Sequence, residues 1–295
     1  MRWYLHPGTL DNNPKFDITE AEYEKIRSAS ALLTCALRTE ERFEICKRYF
    51  YDLELEILAI TLENKLDRDF SYERSFENRL KLEKAIFGFV TAAKHVIEKL
   101  ASDFSSNHAE AKEIKQQIKG FLSAEYDTSF EYRFVEALRN HILHHGGSVH
   151  GYSTSASKPD PFNLPVVNLR LSFTANKSKI SENSGFKKTV LNEMPESVEL
   201  KSALRVYMAA ISRVFARSRD LRKLDITAAR DTVTDAISRY STFCGTPQRY
   251  VTLYSENGGD LTKTQILTDW DDQRIRLWER NPEMSNLSNV FLLDT

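Results

Sequence analysis

The sequence predicts a mainly α protein, with an N-terminal helical bundle followed by a mixed α+β C-terminal region. Three observations carry that expectation. Apolar residues recur at three- and four-residue steps through most of residues 19–145. Capping signals stand at the start of each such run. After Tyr152 the pattern breaks into STSASKPDPFNLP, and an alternating apolar and polar stretch follows.

The elements follow in order. Thr19-Glu20-Ala21-Glu22 reads as a capping box opening a helix to about Leu37, with Ile18 placed to act as a staple. Thr39 is set to cap a second helix, whose first turn holds Glu40 and Glu41 and whose apolar stripe is Phe43, Cys46, Phe50, Leu53, Ile57 and Ile60. Ser71 caps a long third helix to about Phe104. Asn107 with Glu110 starts a shorter fourth, to about Leu122. Thr128 with Glu131 opens a fifth helix that stops at Gly146-Gly147, the residue type favoured just past a helix end. Five helices with short connections suggest a bundle over residues 1–152. Residues 153–164 read as a linker or long loop, and 165–295 as a mixed region of unknown role. That region starts with a half-buried strand through Val167, Leu169, Leu171 and Phe173. Helices are expected near 187–194, 197–219 and 225–242, then a strand at 249–255 and a final helix in TDWDDQRIRLWER. Phe43, Tyr49, Phe50, Phe87 and Phe89 are expected in the bundle core.

Composition narrows the function classes. The 295 residues include 41 Lys and Arg against 42 Asp and Glu, so no global field draws the chain to nucleic acid or membrane, and an anionic partner needs a local patch. Three dispersed cysteines without a CxxC pair suit free thiols in a reducing compartment. The N-terminus lacks a signal-peptide layout, and the apolar stretches are short and broken by charges, so a cytoplasmic protein without membrane contact is expected. No P-loop, GxGxxG or GxSxG is present, which leaves nucleotide hydrolysis and acyl transfer without support.

The most informative stretch is LRNHILHHGGSVHG, residues 138–151, which holds four of the seven histidines. At about 100° per residue, Phe134, Val135, Leu138, Ile142 and His145 fall on the side expected to face the core. Glu136, Arg139, Asn140, Leu143 and His144 fall opposite, with His141 at the border. Three readings compete. Cationic side chains near a helix C-terminus complement its dipole, so the cluster could be a solvated helix end. His141 and His145, four residues apart, could hold a metal with a third ligand from elsewhere, although no acid lies between them as in HExxH. Alternatively, the open face supports metal-free chemistry on a phosphodiester. Cleavage of RNA through its own 2′-hydroxyl needs a base, an acid and a cation against the phosphorane. Histidine serves either proton role near neutrality. Arginine matches phosphate oxygens with its fork. Asparagine orients by hydrogen bonds.

Arg139-Asn140-His141-Ile142-Leu143-His144 fits the RNxxxH form of the Rx(4–6)H motif, and the chain here resembles the HEPN superfamily. The resemblance covers residues 19–151 at most. It implies an all-α bundle, a homodimer with two motifs facing each other, and metal-independent endoribonuclease activity of the toxin or antiviral-defence type. It also implies RNA as substrate, no cofactor, and a neutralising or regulatory protein partner. Other members bind RNA, nucleotide or protein without cutting. On that resemblance Arg139 and His144 are catalytic and Asn140 supports them. Glu136 and His145 are added as supporting residues from the helical wheel and from the competing Arg-x5-His frame. Outside the motif, Arg213, Arg217 and Arg219 in RVFARSRDLRK could touch RNA phosphates, though a solvated basic helix end complementing its dipole is the more ordinary explanation. Trp270, Arg274 and Trp278 could stack bases, or pack at helical spacing with a cation–π contact.

Overall fold

The computed structural model describes residues 1–8, 13–105, 111–157 and 168–288, and these form a mainly α protein with small antiparallel sheets. In chain order the elements are β1 (Arg2–His6), β2 (Phe16–Ile18), α1 (Glu20–Asp67), α2 (Tyr72–Ser105), α3 (Ala111–Thr128) and α4 (Phe130–His144). Then come β3 (Gly151–Ser157), β4 (Asn168–Asn176), α5 (Lys177–Ser181), α6 (Lys188–Glu193), β5 (Ser197–Glu199) and α7 (Leu200–Asp220). The last are α8 (Lys223–Cys244), β6 (Tyr250–Asn257), β7 (Asp260–Leu267) and α9 (Asp269–Arg280).

The chain divides into two compact units that interleave in sequence. One comprises residues 1–42, 99–118 and 216–282, the other 43–98, 119–215 and 283–295. In the first unit β1 pairs antiparallel with β2 and β6, and β6 with β7, giving the order β2-β1-β6-β7. Its core joins Leu5, Val251, Leu253 and Ile266 of the sheet to Tyr23, Ile26 and Leu33 of α1 and Val233 and Tyr240 of α8. Gly245 ends α8 in the left-handed conformation (φ 73°), where a side chain would be strained.

The second unit is the helical one. Phe43 stacks on Phe215 with ring centres 4.1 Å apart, Phe50 meets Phe89, and Tyr207 meets both Phe89 and Tyr132. A three-stranded sheet, β3-β4-β5, completes it, with Leu171 and Phe173 turned inward. Phe43, Phe50 and Phe89 are core residues as expected, but Tyr49 and Phe87 are not: they are 44% and 45% exposed. Tyr51, Leu55, Leu58, Leu62 and Leu66 likewise lie exposed along α1, a second apolar stripe opposite the buried one.

Several boundaries differ from the sequence reading. The two helices expected around Thr39 are one helix of 48 residues. Thr39 is buried and its hydroxyl donates to the Cys35 carbonyl one turn back, so it caps nothing. The start expected at Asn107 lies outside the described residues, as do most of the linker residues, but residues 153–157 belong to β3 rather than to a loop. The sheet strands β1, β2 and β7 and the short α5 come without a sequence expectation, and residues 197–199, expected to begin a helix, form β5 instead.

Candidate active site

The α4 helix starts one residue later than its sequence suggests. The Thr128 hydroxyl turns back to Ala124, and Ser129 is the cap, its hydroxyl accepting from the Tyr132 amide at 3.1 Å. Phe134, Val135 and Leu138 are fully buried, as the helical wheel requires. The C-terminal turn departs from it. His145 has φ −132°, outside helical geometry, although its amide still donates to the His141 carbonyl. A wheel drawn through residue 145 therefore points it the wrong way. His145 is exposed, and its expected core-side position is corrected; the buried histidine is His141, 6% exposed.

Neither Gly146 nor Gly147 takes the left-handed conformation of a helix stop. Gly147 serves a different need: a Cβ there would lie 2.5 Å from a carboxylate oxygen of Glu83. That carboxylate accepts from the amides of Ser148 and Val149 and from the Ser148 hydroxyl, at 2.7–2.9 Å.

His141 Nδ1 lies 3.0 Å from Asn183 Nδ2. Asn183 Oδ1 accepts from the Gly185 amide, which orients its amide group as a donor toward the imidazole. Burial lowers the His141 pKa, and it also lowers that of His150, whose Nδ1 accepts from the Asn176 amide. Both therefore favour the neutral form.

An open pocket of about 260 Å³ lies along α4 within the second unit, lined by Asn140, His144 and His145 on the helix and by Asn183, Gly185 and Lys187 across from it. Tyr126, Arg133 and Glu136 also border it. Lys187 places its ammonium 4.6 Å from the Tyr126 ring centre and donates to that hydroxyl. Arg133 donates to the carbonyls of Tyr126 and Asp127 and to Glu193. Asn183 and Lys187 escape sequence reasoning, because the loop at 183–187 carries no motif and lies some forty residues from α4 in the chain.

The motif residues are brought together unevenly. Asn140 and His144 face the pocket. Arg139 is half-buried beside it, donating from Nη1 to Asn140 Oδ1 at 3.0 Å, while its Nε is buried without a hydrogen-bond partner. Glu136 has both oxygens committed: Lys94 donates to one at 2.7 Å and the Tyr207 hydroxyl to the other. His141 and His145 stack with ring centres 6.1 Å apart, and the contact with Asn183 occupies the Nδ1 of His141. Among the described residues no group of three or more His, Cys, Asp or Glu could hold a metal ion.

Most of the other sequence candidates lie in internal contacts. Arg213 forms a two-pronged ion pair with Glu125 at 3.0 and 2.7 Å. Arg219 is 4% exposed, clasped by Glu40 and stacked on Trp278, so it offers nothing to RNA. Arg217 is exposed. Arg274 is buried against Asp271 and lies 5.9 Å from the Trp278 ring centre, the packing alternative for that aromatic group; Trp270 is 63% exposed. No described helix is long and apolar enough to cross a membrane.

Comparison of the chain with family models, with curated proteins and with solved structures finds no match.

Proposed function

We propose that the α4 pocket cleaves RNA by transesterification without a metal, as the RNxxxH motif implies. The observation that carries this reading is the convergence of two exposed histidines, Asn140 and Lys187 on one open pocket, with the Arg139 guanidinium hydrogen-bonded to Asn140 at its side. In this mechanism His144 removes the 2′-hydroxyl proton or returns one to the leaving 5′-oxygen. Asn140 positions the phosphate and Arg139 balances the added charge on the phosphorane. A second copy of the chain supplies the complementary set in a homodimer.

The test is incubation of labelled RNA with excess EDTA, alongside His144→Ala and Arg139→Ala. Cleavage that survives EDTA and falls at least a hundredfold in each variant supports the nuclease. RNA binding with no cutting by the wild type makes the protein a binding module instead. A toxin or defence role, and a neutralising partner, belong to the same proposal and follow from the resemblance alone.

A further inference from the structure

A second pocket, of about 280 Å³, sits where the end of α1 and the turn after it meet the β3–β4 hairpin, and it shares no residue with the α4 pocket. All of it belongs to the second unit. Lys65, Arg68 and Arg170 line it, and among the described residues no carboxylate does. Most helix arginines of this protein grip a carboxylate, as Arg74, Arg205 and Arg213 do. Lys65, Arg68 and Arg170 have no ion pair among the described residues. Three like charges gathered without a counter-charge among the described residues repel one another, a cost that a bound anion would remove.

The backbone adds an independent sign. Arg68 has φ 53°, the one non-glycine residue with positive φ among those described. It stands directly after α1, at the position where glycine is the common solution. An arginine held in the left-handed region is strained, and such strain persists where a side chain is needed at that place. Here the side chain it delivers lines the pocket.

The remaining wall is apolar and hydroxylic. Phe70 and Leu169 are exposed at 68% and 38%, and Thr154 and Ser155 come from the edge strand β3. The wall is also held in place. Asn64 and Asn78, both buried, donate to the Tyr152 hydroxyl at 2.8 and 3.1 Å, tying β3 to α1 and α2. A preformed apolar cleft with a few converging polar groups is the usual form of a small-molecule site.

We propose that this pocket binds a small amphipathic anion, with its charged group held by Lys65, Arg68 and Arg170 and its flat apolar body against Phe70 and Leu169. Anion binding here is independent of RNA cleavage at α4. Its test is calorimetric titration of the full chain with 1-naphthyl phosphate, 1-naphthol and inorganic phosphate. The naphthyl phosphate should bind at least tenfold more tightly than either part, and Arg170→Ala and Arg68→Gly should each weaken it at least tenfold. Arg68→Gly should at the same time raise the melting temperature, because glycine relieves the strained turn. Equal binding of 1-naphthol overturns the charged half of the proposal. Binding that survives Arg170→Ala and Arg68→Gly but is lost in Lys187→Ala places the anion in the α4 pocket and overturns the proposal as a whole.

Discussion

Asn183 and His141, forty-two residues apart, meet nitrogen to nitrogen at 3.0 Å in a buried contact, and this pairing has meaning only if the imidazole is neutral at Nδ1. A protonated His141 would turn two donors toward each other. Burial is the main cause of its lowered pKa; a hydrogen bond with the Gly147 backbone and, after it, Glu83 pull the other way, more weakly. His150 shifts in the same direction for the same reason. The unfolded chain, with histidines near the ordinary value of 6.5, therefore takes up protons first as pH falls. The stability that these two histidines contribute is complete above about pH 6.5 and is lost as pH drops below it. Urea midpoints should decline between pH 8 and pH 5.5, and His141→Gln should flatten that decline while lowering the midpoint at pH 8. A midpoint that rises on acidification would contradict the neutral assignment.

Glu83 replaces a helix cap for the chain that leaves α4. Its carboxylate takes the amides of Ser148, 0% exposed, and Val149, 2% exposed, which have no strand or helix partner of their own among the described residues. Glu83→Ala leaves two buried donors unsatisfied and should cost about 2–4 kcal/mol. Hydrogen exchange at those two amides should accelerate more than exchange in the helices. Gly147→Ala should destabilise as well, since its Cβ would collide with the same carboxylate. Unchanged exchange at residues 148 and 149 in Glu83→Ala would show that the carboxylate is dispensable.

Much of the helical layout is legible in the sequence because capping chemistry and apolar spacing are local. Ser71 does accept from the Arg74 amide, and Thr19 and Glu22 bond reciprocally as a capping box requires. The failures are equally physical. A threonine can cap a helix or bond back within one, and at Thr39 and Thr128 it does the latter. The site was legible only on its helical side. Asn140 and His144 follow from spacing, but His145 leaves the helix at its last turn, and no periodicity foretells that. The wall of Asn183, Gly185 and Lys187 is set by tertiary packing, so its members carry no local signature.

The ion pair between Arg219 and Glu40 explains why a basic cluster in the sequence need not mean a nucleic-acid surface. Both side chains are buried, at 4% and 3% exposure, and Arg219 also donates to the Asn281 carbonyl at 2.5 Å. Removing one partner strands the other charge, which costs about 3–5 kcal/mol. Glu40→Ala should therefore lower the urea midpoint by that equivalent, whereas Glu40→Met with Arg219→Met should be milder than either single change. A Glu40→Ala protein within about 1 kcal/mol of wild type would disprove the buried pair.

Glu136 borders the α4 pocket, yet its contacts assign it to holding the fold. Lys94 and the Tyr207 hydroxyl occupy its two oxygens, and Tyr207 is 1% exposed, with burial driving its own pKa well up. A proton carrier needs an oxygen open to substrate, whereas this carboxylate instead accepts from two neighbours. Glu136→Gln keeps an acceptor for Tyr207 and should leave the proposed RNA cleavage within about threefold of wild type, less than the hundredfold or more typical of losing a general base. Glu136→Ala strands the tyrosine hydroxyl and should destabilise by about 1–3 kcal/mol. Its loss of activity should then track the unfolded fraction measured by circular dichroism. A Glu136→Gln protein with wild-type melting and no cleavage would move Glu136 into the proposed catalytic set beside His144.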